Sequence, residues 1–323
     1  MSAGGGTKAI VAALLANLGI AVTKFIAFGL SGSSSMLAES IHSVADSGNQ
    51  ALLLLGGRRA QRKATPEHPF GYGRERYIYA FIVSIVLFSV GGLFALYEAY
   101  HKYHEQHEDG PHGIESWPWL PVTVLIIAIL LESYSFRTAI KESNAIRGKA
   151  SWSQFVRRAK APELPVVLLE DLGALLGLIF ALVGVSMTLV TDNGYWDAAG
   201  TAAIGLLLVA IAVILAFETK SLLLGEGATP EDVRRIEEAI TGGAEVERII
   251  HMKTLHLGPE ELLVAAKVAV RPYETAADLA EGINSVEARI RNSVPIARLI
   301  YLEPDIYRNA EQPADGVPQL KEA

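Results

Sequence analysis

Residues 197–218 read DAAGTAAIGLLLVAIAVILAFE, an apolar run with one acidic residue at each end. About 20 mostly apolar residues are enough for an α-helix to cross the hydrocarbon core of a bilayer. Stretches of similar character lie at 9–30, 34–57, 77–100, 117–136 and 164–190. The sequence therefore predicts an α-helical membrane protein with six transmembrane helices.

The composition agrees with a membrane protein and excludes several other classes. Of the 323 residues, 50% are hydrophobic and 20% are charged, which is too apolar for an ordinary soluble enzyme. The formal net charge is −7 and the basic residues are dispersed, so nucleic acid is not an expected partner. Because the chain contains 0 cysteines, a metal site would have to use His, Asp and Glu.

The basic residues predict how the chain is oriented in the bilayer. Loops 58–76 and 137–160 carry six and seven Lys or Arg residues, whereas loops 31–33 and 191–196 carry none. Short loops rich in Lys and Arg stay on the cytoplasmic side. Both ends of the chain are therefore expected in the cytoplasm, in an integral multi-pass protein.

A smaller domain is predicted after the last span. We assign residues 1–220 to the transmembrane domain, 221–309 to a cytoplasmic α+β domain and 310–323 to a disordered tail. Thr229 starts a helix, Gly258-Pro259 separates the two strands of a hairpin, and a second helix and a last strand follow. The predicted order is α-β-β-α-β.

The second span contains three ionisable side chains, Glu39, His42 and Asp46. Each costs about 2.5–3.5 kcal/mol inside a bilayer, and their spacing places all three on one helical face. Two carboxylates and an imidazole on one face favour coordination of a divalent cation. The alternative is a set of hydrogen bonds between helices.

The fifth span adds Glu170 and Asp171 shortly after Pro165. Neighbouring helical residues point about 100° apart, so we expect only one of the pair to share a ligand with the second span. An acidic pair near the membrane interface is the alternative interpretation.

Other polar residues are less specific. Glu132 in the fourth span precedes Arg137 by about one turn, so a local ion pair and a role in transport both stay open. Lys24 and Asn17 are expected to hold helices together. The cluster His101–His112 is either a weak metal-gathering segment or a solvated loop, and His251 and His256 should lie on opposite faces of one strand.

Two motifs give the chain a family resemblance. His42–Asp46 (HSVAD) and His68–Arg76 (HPFGYGRER), followed by Leu222–Glu226 (LLLGE), resemble the cation diffusion facilitator (CDF) family of divalent-metal transporters. The resemblance covers nearly the whole chain. It implies a homodimer in the lipid bilayer that exports Zn²⁺ or a similar ion from the cytoplasm in exchange for protons, with the transport site between the second and fifth spans.

The resemblance also implies a ligand set. His42, Asp46 and Asp171 match three ligand positions of the family, but the fourth falls on Val167. The run around Val167 resembles the divergent branch that contains zinc transporter 9. Glu39 or Glu170 is expected to complete the site, which would then be richer in oxygen and less selective for Zn²⁺ over Mn²⁺, Fe²⁺ or Co²⁺.

Two rival interpretations remain beside the metal–proton antiporter. A non-transporting membrane scaffold or metal-responsive regulator is suggested by Val167 and by a cytoplasmic domain with Lys267 and Tyr301 at presumed ligand positions. An intramembrane hydrolase is disfavoured because the sequence contains no His-Glu-x-x-His motif. We therefore expect no enzyme activity, no catalytic residues and no resident cofactor. A bacterial inner membrane is the expected location, because no organelle-targeting segment is recognised.

Overall fold

The computed structural model describes residues 3–108, 110, 117, 119–271 and 275–307, with side chains described from residue 17 onward. The chain divides into two compact units, Met1–Leu224 and Gly225–Ala323. The tail predicted over 310–323 lies outside the described residues.

Long helices form the first unit. Its elements are α1 (Ala3–Ser31), α2 (Ser34–Ala60), α3 (Glu75–Val86), a π-helical segment (Leu87–Leu93), α4 (Phe94–Glu108), α5 (Trp119–Arg147), α6 (Trp152–Arg158), α7 (Glu163–Thr191) and α8 (Tyr195–Leu224). The third predicted span lies in one continuous helix that runs from α3 through the π-helical segment into α4.

Four helical stretches of the described residues are long and apolar enough to cross a membrane: Glu75–Glu108, α5, α7 and α8. Each of these is long enough for a hydrocarbon core of about 30 Å, since a helix rises about 1.5 Å per residue. Helix α2 has 27 residues, but its polar side chains lower its mean hydropathy. The described part of α1 offers only the shorter apolar stretch Asn17–Ser31. The α-helical membrane fold is confirmed, while the count of six spans stays a prediction for α1 and α2.

The start of α2 is fixed by a carboxylate from another helix. Asp197, in the first turn of α8, is 1% exposed. It accepts hydrogen bonds from the Ser34 amide at 2.7 Å and from the Ser33 hydroxyl at 3.0 Å. The Ser35 amide donates to the same carboxylate at 3.3 Å. Asp197 therefore satisfies amides at the α2 N-terminus that have no partner within their own helix.

The second unit is the predicted small α+β domain. Its elements are α9 (Pro230–Thr241), β1 (Val246–Gly258), β2 (Glu261–Val270), α10 (Ala276–Ser293) and β3 (Ala297–Asp305). The sheet order is β1-β2-β3, with β1 and β2 antiparallel and β2 and β3 parallel. Ile236 and Ile240 of α9 and Val286 and Ile290 of α10 are buried in one apolar core with the sheet. The predicted order α-β-β-α-β is confirmed.

Candidate functional site

A small polar cavity lies among four helices of the first unit. Its volume is about 20 Å³, which is room for one water-sized species. The lining side chains come from α1, α2, α5 and α7: Asn17, Ile20, Ser43, Asp46, Gln50, Glu132, Glu170 and Asp171. Four of these eight residues are acidic, so the cavity is suited to a cation rather than to an anion or an apolar ligand.

Helix α2 brings His42 and Asp46 to this region, one turn apart. The Nδ1 atom of His42 lies 3.4 Å from the Oδ1 atom of Asp46. His42 is 1% exposed, and neither of its ring nitrogens has a hydrogen-bond partner among the described residues. A buried imidazole without partners is costly, and metal coordination is one way in which such a group is satisfied.

Helix α7 places Glu170 and Asp171 seven and eight residues after its first residue, Glu163, which is about two turns inside the helix. Both side chains are buried and both line the cavity. That only one of them shares a ligand with the second span stays a prediction. Glu170 accepts a hydrogen bond from the Asn49 side chain of α2. Asp171 is turned towards α5, where the Ser135 hydroxyl donates to it at 3.0 Å. Within the cavity wall, Glu170 therefore contacts α2 and Asp171 contacts α5.

Glu39 is placed differently. Its Oε2 atom lies 2.9 Å from the Nζ atom of Lys24, in an ion pair buried between α1 and α2. Lys24 also donates to the Ser43 hydroxyl at 2.8 Å. On the α7 side, an added Cβ at Gly177 would come within 2.8 Å of Glu39 Oε1, so a glycine leaves the space that this carboxylate occupies. Glu39 does not line the cavity.

The predicted ligands are therefore only partly brought together. Asp46, Glu170 and Asp171 share the cavity, His42 adjoins it through Asp46, and Glu39 is paired with Lys24. Within the residues that the structure describes, no group of three or more His, Asp or Glu side chains is arranged closely enough to hold a metal ion. The ligand set of His42, Asp46, Asp171, Glu39 and Glu170 stays a prediction.

The position of Val167 is occupied by apolar packing. Val167 packs against a cluster formed by Ala139 of α5, Phe155 of α6 and Leu168 of α7. It lies one turn before Asp171 on α7 and is not among the residues that line the cavity.

Several cavity residues lie outside the predicted ligand set. For Glu132 the sequence leaves an ion pair and a role in transport open, for Asn17 it indicates a contact between helices, and for Gln50 it indicates no role. Helical spacing indicates the position of Gln50, because it follows Asp46 by four residues and therefore lies on the same face of α2 as His42 and Asp46. The partner of Lys24 had no sequence signal, because Lys24 and Glu39 are on different helices.

The remaining histidines lie elsewhere. His101, His104 and His107 are exposed on α4, each about 6.0 to 6.4 Å from a tyrosine ring one turn earlier. His112 lies outside the described residues. In the second unit His251 is exposed and His256 is buried, as their spacing on one strand predicts.

Lys267 of the second unit forms two ion pairs. The Nζ atom of Lys267 lies 3.0 Å from Glu303 and 2.9 Å from Asp305. Hydrogen bonds to Asp305 and Glu303 raise the pKa of Lys267. The two carboxylates are therefore already paired with the ammonium group of Lys267.

Comparison with known proteins gives a consistent set of similarities. A family model described as the cation efflux transmembrane domain matches residues 10–224. The proton-coupled zinc antiporter SLC30A9, mitochondrial, of Homo sapiens is 30% identical over 266 residues, which are 82% of this chain and 46% of that protein. The chain thus spans about half the length of that relative.

Two further similarities cover different parts of the chain. The zinc transporter ZitB of Yersinia pestis is 26% identical over 300 residues, which are 91% of this chain and 89% of that protein. Among solved structures, one named MamM-CTD is 18% identical and aligns over 25% of this chain and 100% of its own, with a TM-score of 0.24.

Proposed function

Because the chain belongs to the cation diffusion facilitator (cation efflux) family, a family of metal transporters and not of enzymes, we propose that it exports a divalent metal cation from the cytoplasm in exchange for protons. Zn²⁺ is the first ion to test, since the names of the human and Yersinia relatives specify zinc. Mn²⁺, Fe²⁺ and Co²⁺ are the alternatives, because the cavity offers mainly carboxylates.

One observation carries this proposal. Asp46, Glu170 and Asp171, from two helices, line one small cavity in a helical membrane protein, with His42 beside them. Acidic side chains within membrane helices are costly and are typical of ion pathways. A bound divalent cation would compensate part of this negative charge when the site is loaded, and protons would do so when the site is empty.

Proton exchange follows from the chemistry of these ligands. A metal ion binds ionised carboxylates and a neutral imidazole, so loading the site displaces protons from it. Protons that enter from the other side of the membrane then compete with the metal and favour its release. The proposed cycle alternates the exposure of the cavity between the two sides by rocking of helices, with the metal as substrate.

We propose a homodimer in the lipid bilayer, with both ends of each chain in the cytoplasm. The second unit is its proposed dimerisation domain, because Lys267 is paired with Glu303 and Asp305 where the family resemblance implies a metal ligand. A bacterial inner membrane is the proposed location. The name of the human relative specifies mitochondria, whereas the ZitB relative comes from a bacterium. The direct test is to localise the tagged chain in its own cell.

The transport test uses the full chain in proteoliposomes with an imposed pH gradient. Flux of Zn²⁺, Mn²⁺, Fe²⁺ and Co²⁺ is compared between the wild type, Asp46→Ala and Glu142→Ala. Glu142 is an exposed acid on α5 and provides the matched control. We expect flux that depends on the pH gradient. Asp46→Ala should lower this flux by about 10- to 100-fold or more, because loss of a ligand should cost at least as much as loss of a residue that orients one. Glu142→Ala should leave the flux unchanged.

The scaffold hypothesis makes the opposite prediction. If folded, dimeric wild-type protein moves none of the four ions faster than empty liposomes, the chain is not a transporter. Flux that does not depend on the pH gradient would retain metal transport and exclude proton exchange.

A further inference from the structure

Glu132 is the cavity residue with the least obvious purpose. It lies in α5, a helix that otherwise presents many exposed apolar side chains, such as Leu130 and Leu131. Glu132 itself is half-buried and lines the same cavity as Asp46, Glu170 and Asp171. The local ion pair with Arg137 that its spacing allows is not among the contacts of the described residues, and Arg137 is exposed.

The packing of α5 against α7 directs Glu132 towards Asp171. Ser135 donates to Asp171 at 3.0 Å, and Glu132 precedes Ser135 by three residues, so both occupy one side of α5. Both carboxylates line the same small cavity, where two negative charges repel each other. Two neighbouring acids inside a membrane helix bundle need a cation or protons between them.

Lys24 contacts Ser43 of the cavity wall but is already engaged in an ion pair. The ammonium group of Lys24 forms its ion pair with Glu39 and a hydrogen bond with Ser43. One ammonium group that is shared with Glu39 does not balance the four acidic residues of the cavity, so cations or protons must supply the rest.

The buried imidazole of His42 is an independent indication of a ligand. It is 1% exposed, its ring nitrogens have no hydrogen-bond partner among the described residues, and its Nδ1 atom faces Asp46 on the cavity wall. Val167, one turn before Asp171, packs against an apolar cluster that includes Ala139 of α5. Glu132 comes from that same helix.

We propose that Glu132 is a metal-binding and selectivity-determining residue, which supplies from α5 the ligand that α7 lacks at Val167. This inference rests on the proposed transport function. With Asp46, Glu170, Asp171 and Glu132 the cavity offers four carboxylates beside one imidazole. Oxygen-rich sites suit Mn²⁺, whereas Zn²⁺ accepts sites with more nitrogen. The chain should therefore bind Mn²⁺ as well as Zn²⁺, and Mn²⁺ should depend more strongly on Glu132.

The test measures equilibrium binding of Mn²⁺ and of Zn²⁺ separately, by calorimetry on the full chain in detergent. The variants are Glu132→Gln, which keeps the shape and removes the charge, Glu132→Asp, which keeps the carboxylate, and Asp46→Ala. Glu142→Gln is the control, since it makes the same change at an exposed position of the same helix. We expect Glu132→Gln to weaken Mn²⁺ binding by about tenfold or more, and Zn²⁺ binding by less.

The outcomes separate this inference from the function on which it rests. Equal Mn²⁺ affinity in the wild type and Glu132→Gln, with binding lost in Asp46→Ala, would overturn the role of Glu132 and leave the transport site intact. If the wild type binds neither ion, the proposed function fails as well. If Glu132→Gln is poorly folded, Glu132→Asp decides: weaker Mn²⁺ binding by the folded variant supports the proposal, because the shorter side chain withdraws the carboxylate, and Mn²⁺ affinity equal to that of the wild type overturns it.

Discussion

At the scale of single residues, the pair Lys24 and Glu39 shows how charge is accommodated inside the bundle. The two side chains are 4% and 0% exposed, so water does not solvate either of them. The ion pair and the hydrogen bond to Ser43 replace part of that hydration. Such a pair adds little net stability, but the loss of one partner leaves the other charge buried and uncompensated.

We expect Lys24→Met to lower the free energy of unfolding by about 3 kcal/mol, because Glu39 then lacks its counter-charge. The measurement is denaturant unfolding of the full chain in mixed micelles. In the double variant Lys24→Met with Glu39→Gln most of that loss should disappear, since neither charge remains. A single variant as stable as the wild type would show that Glu39 is compensated by another group.

The sequence identified the polar residues of the site better than their partners. His42, Asp46, Glu170 and Asp171 stand out because ionisable groups are rare in apolar helices. The packing of separate helices determines that Glu39 pairs with Lys24. It also brings Glu132 and Asp171 to the same cavity. Helical periodicity defines the face on which a residue lies, but not the residue that it meets on another helix.

At the scale of elements, close helix crossings depend on single glycines. In α2 an added Cβ at Gly56 would lie 2.7 Å from the Cβ of Tyr79 in α3. Tyr79 is 7% exposed and its ring lies 5.6 Å from the Arg59 guanidinium, so it has little room to move. The next residue, Gly57, has nothing within 4 Å of the same added atom.

These adjacent glycines form a matched pair. Gly56→Ala should destabilise the fold by about 1–3 kcal/mol through overpacking of the crossing between α2 and α3. Gly57→Ala should be neutral or stabilise the fold by up to about 1 kcal/mol, because alanine favours a helix. Thermal unfolding of both variants in the same detergent is the comparison. Equal effects of the two substitutions would mean that the crossing is looser than the structure indicates.

The elements of the second unit were predicted well because their signals are local. Thr229 caps α9 by accepting a hydrogen bond from the Asp232 amide at 3.1 Å, and Gly258 ends β1 at the predicted turn. The π-helical segment Leu87–Leu93 was not predicted. Its Gly92 lies against Val209 of α8, where an added Cβ would come within 2.7 Å of a methyl group. Neither helix carries a sequence pattern that would predict this contact, because Gly92 and Val209 are far apart along the chain.

At the scale of the whole molecule, the second unit contains an ion pair whose contribution to stability depends on pH. In the second unit, hydrogen bonds from Arg289 lower the pKa of Glu245 to about 2, with Ser285 as a further donor. Because the pKa in the folded state is below the ordinary value, this ion pair stabilises the fold fully above about pH 4.5. The stabilisation is lost as the pH falls from there towards about 2.

Glu245→Gln should therefore be less stable than the wild type near pH 6, and the difference should shrink as the pH falls towards about 2. The measurement is the unfolding midpoint of separately produced residues 225–323, followed by circular dichroism. Glu281→Gln, an exposed acid on α10, is the control. A difference that is constant over this pH range would assign the effect to packing and not to charge.

Asp197 has a consequence for how α2 can be displaced. Its carboxylate holds Ser33, Ser34 and Ser35 against the first turn of α8, and separation of the two would leave a buried charge without donors. The first turn of α2 is therefore the fulcrum of any tilt of this helix. At about 1.5 Å per residue, His42 lies about 12 Å from Ser34 and Asp46 about 18 Å. When α2 tilts by a given angle, Asp46 therefore moves about 1.5 times as far as His42. The carboxylate and the imidazole cannot be displaced equally.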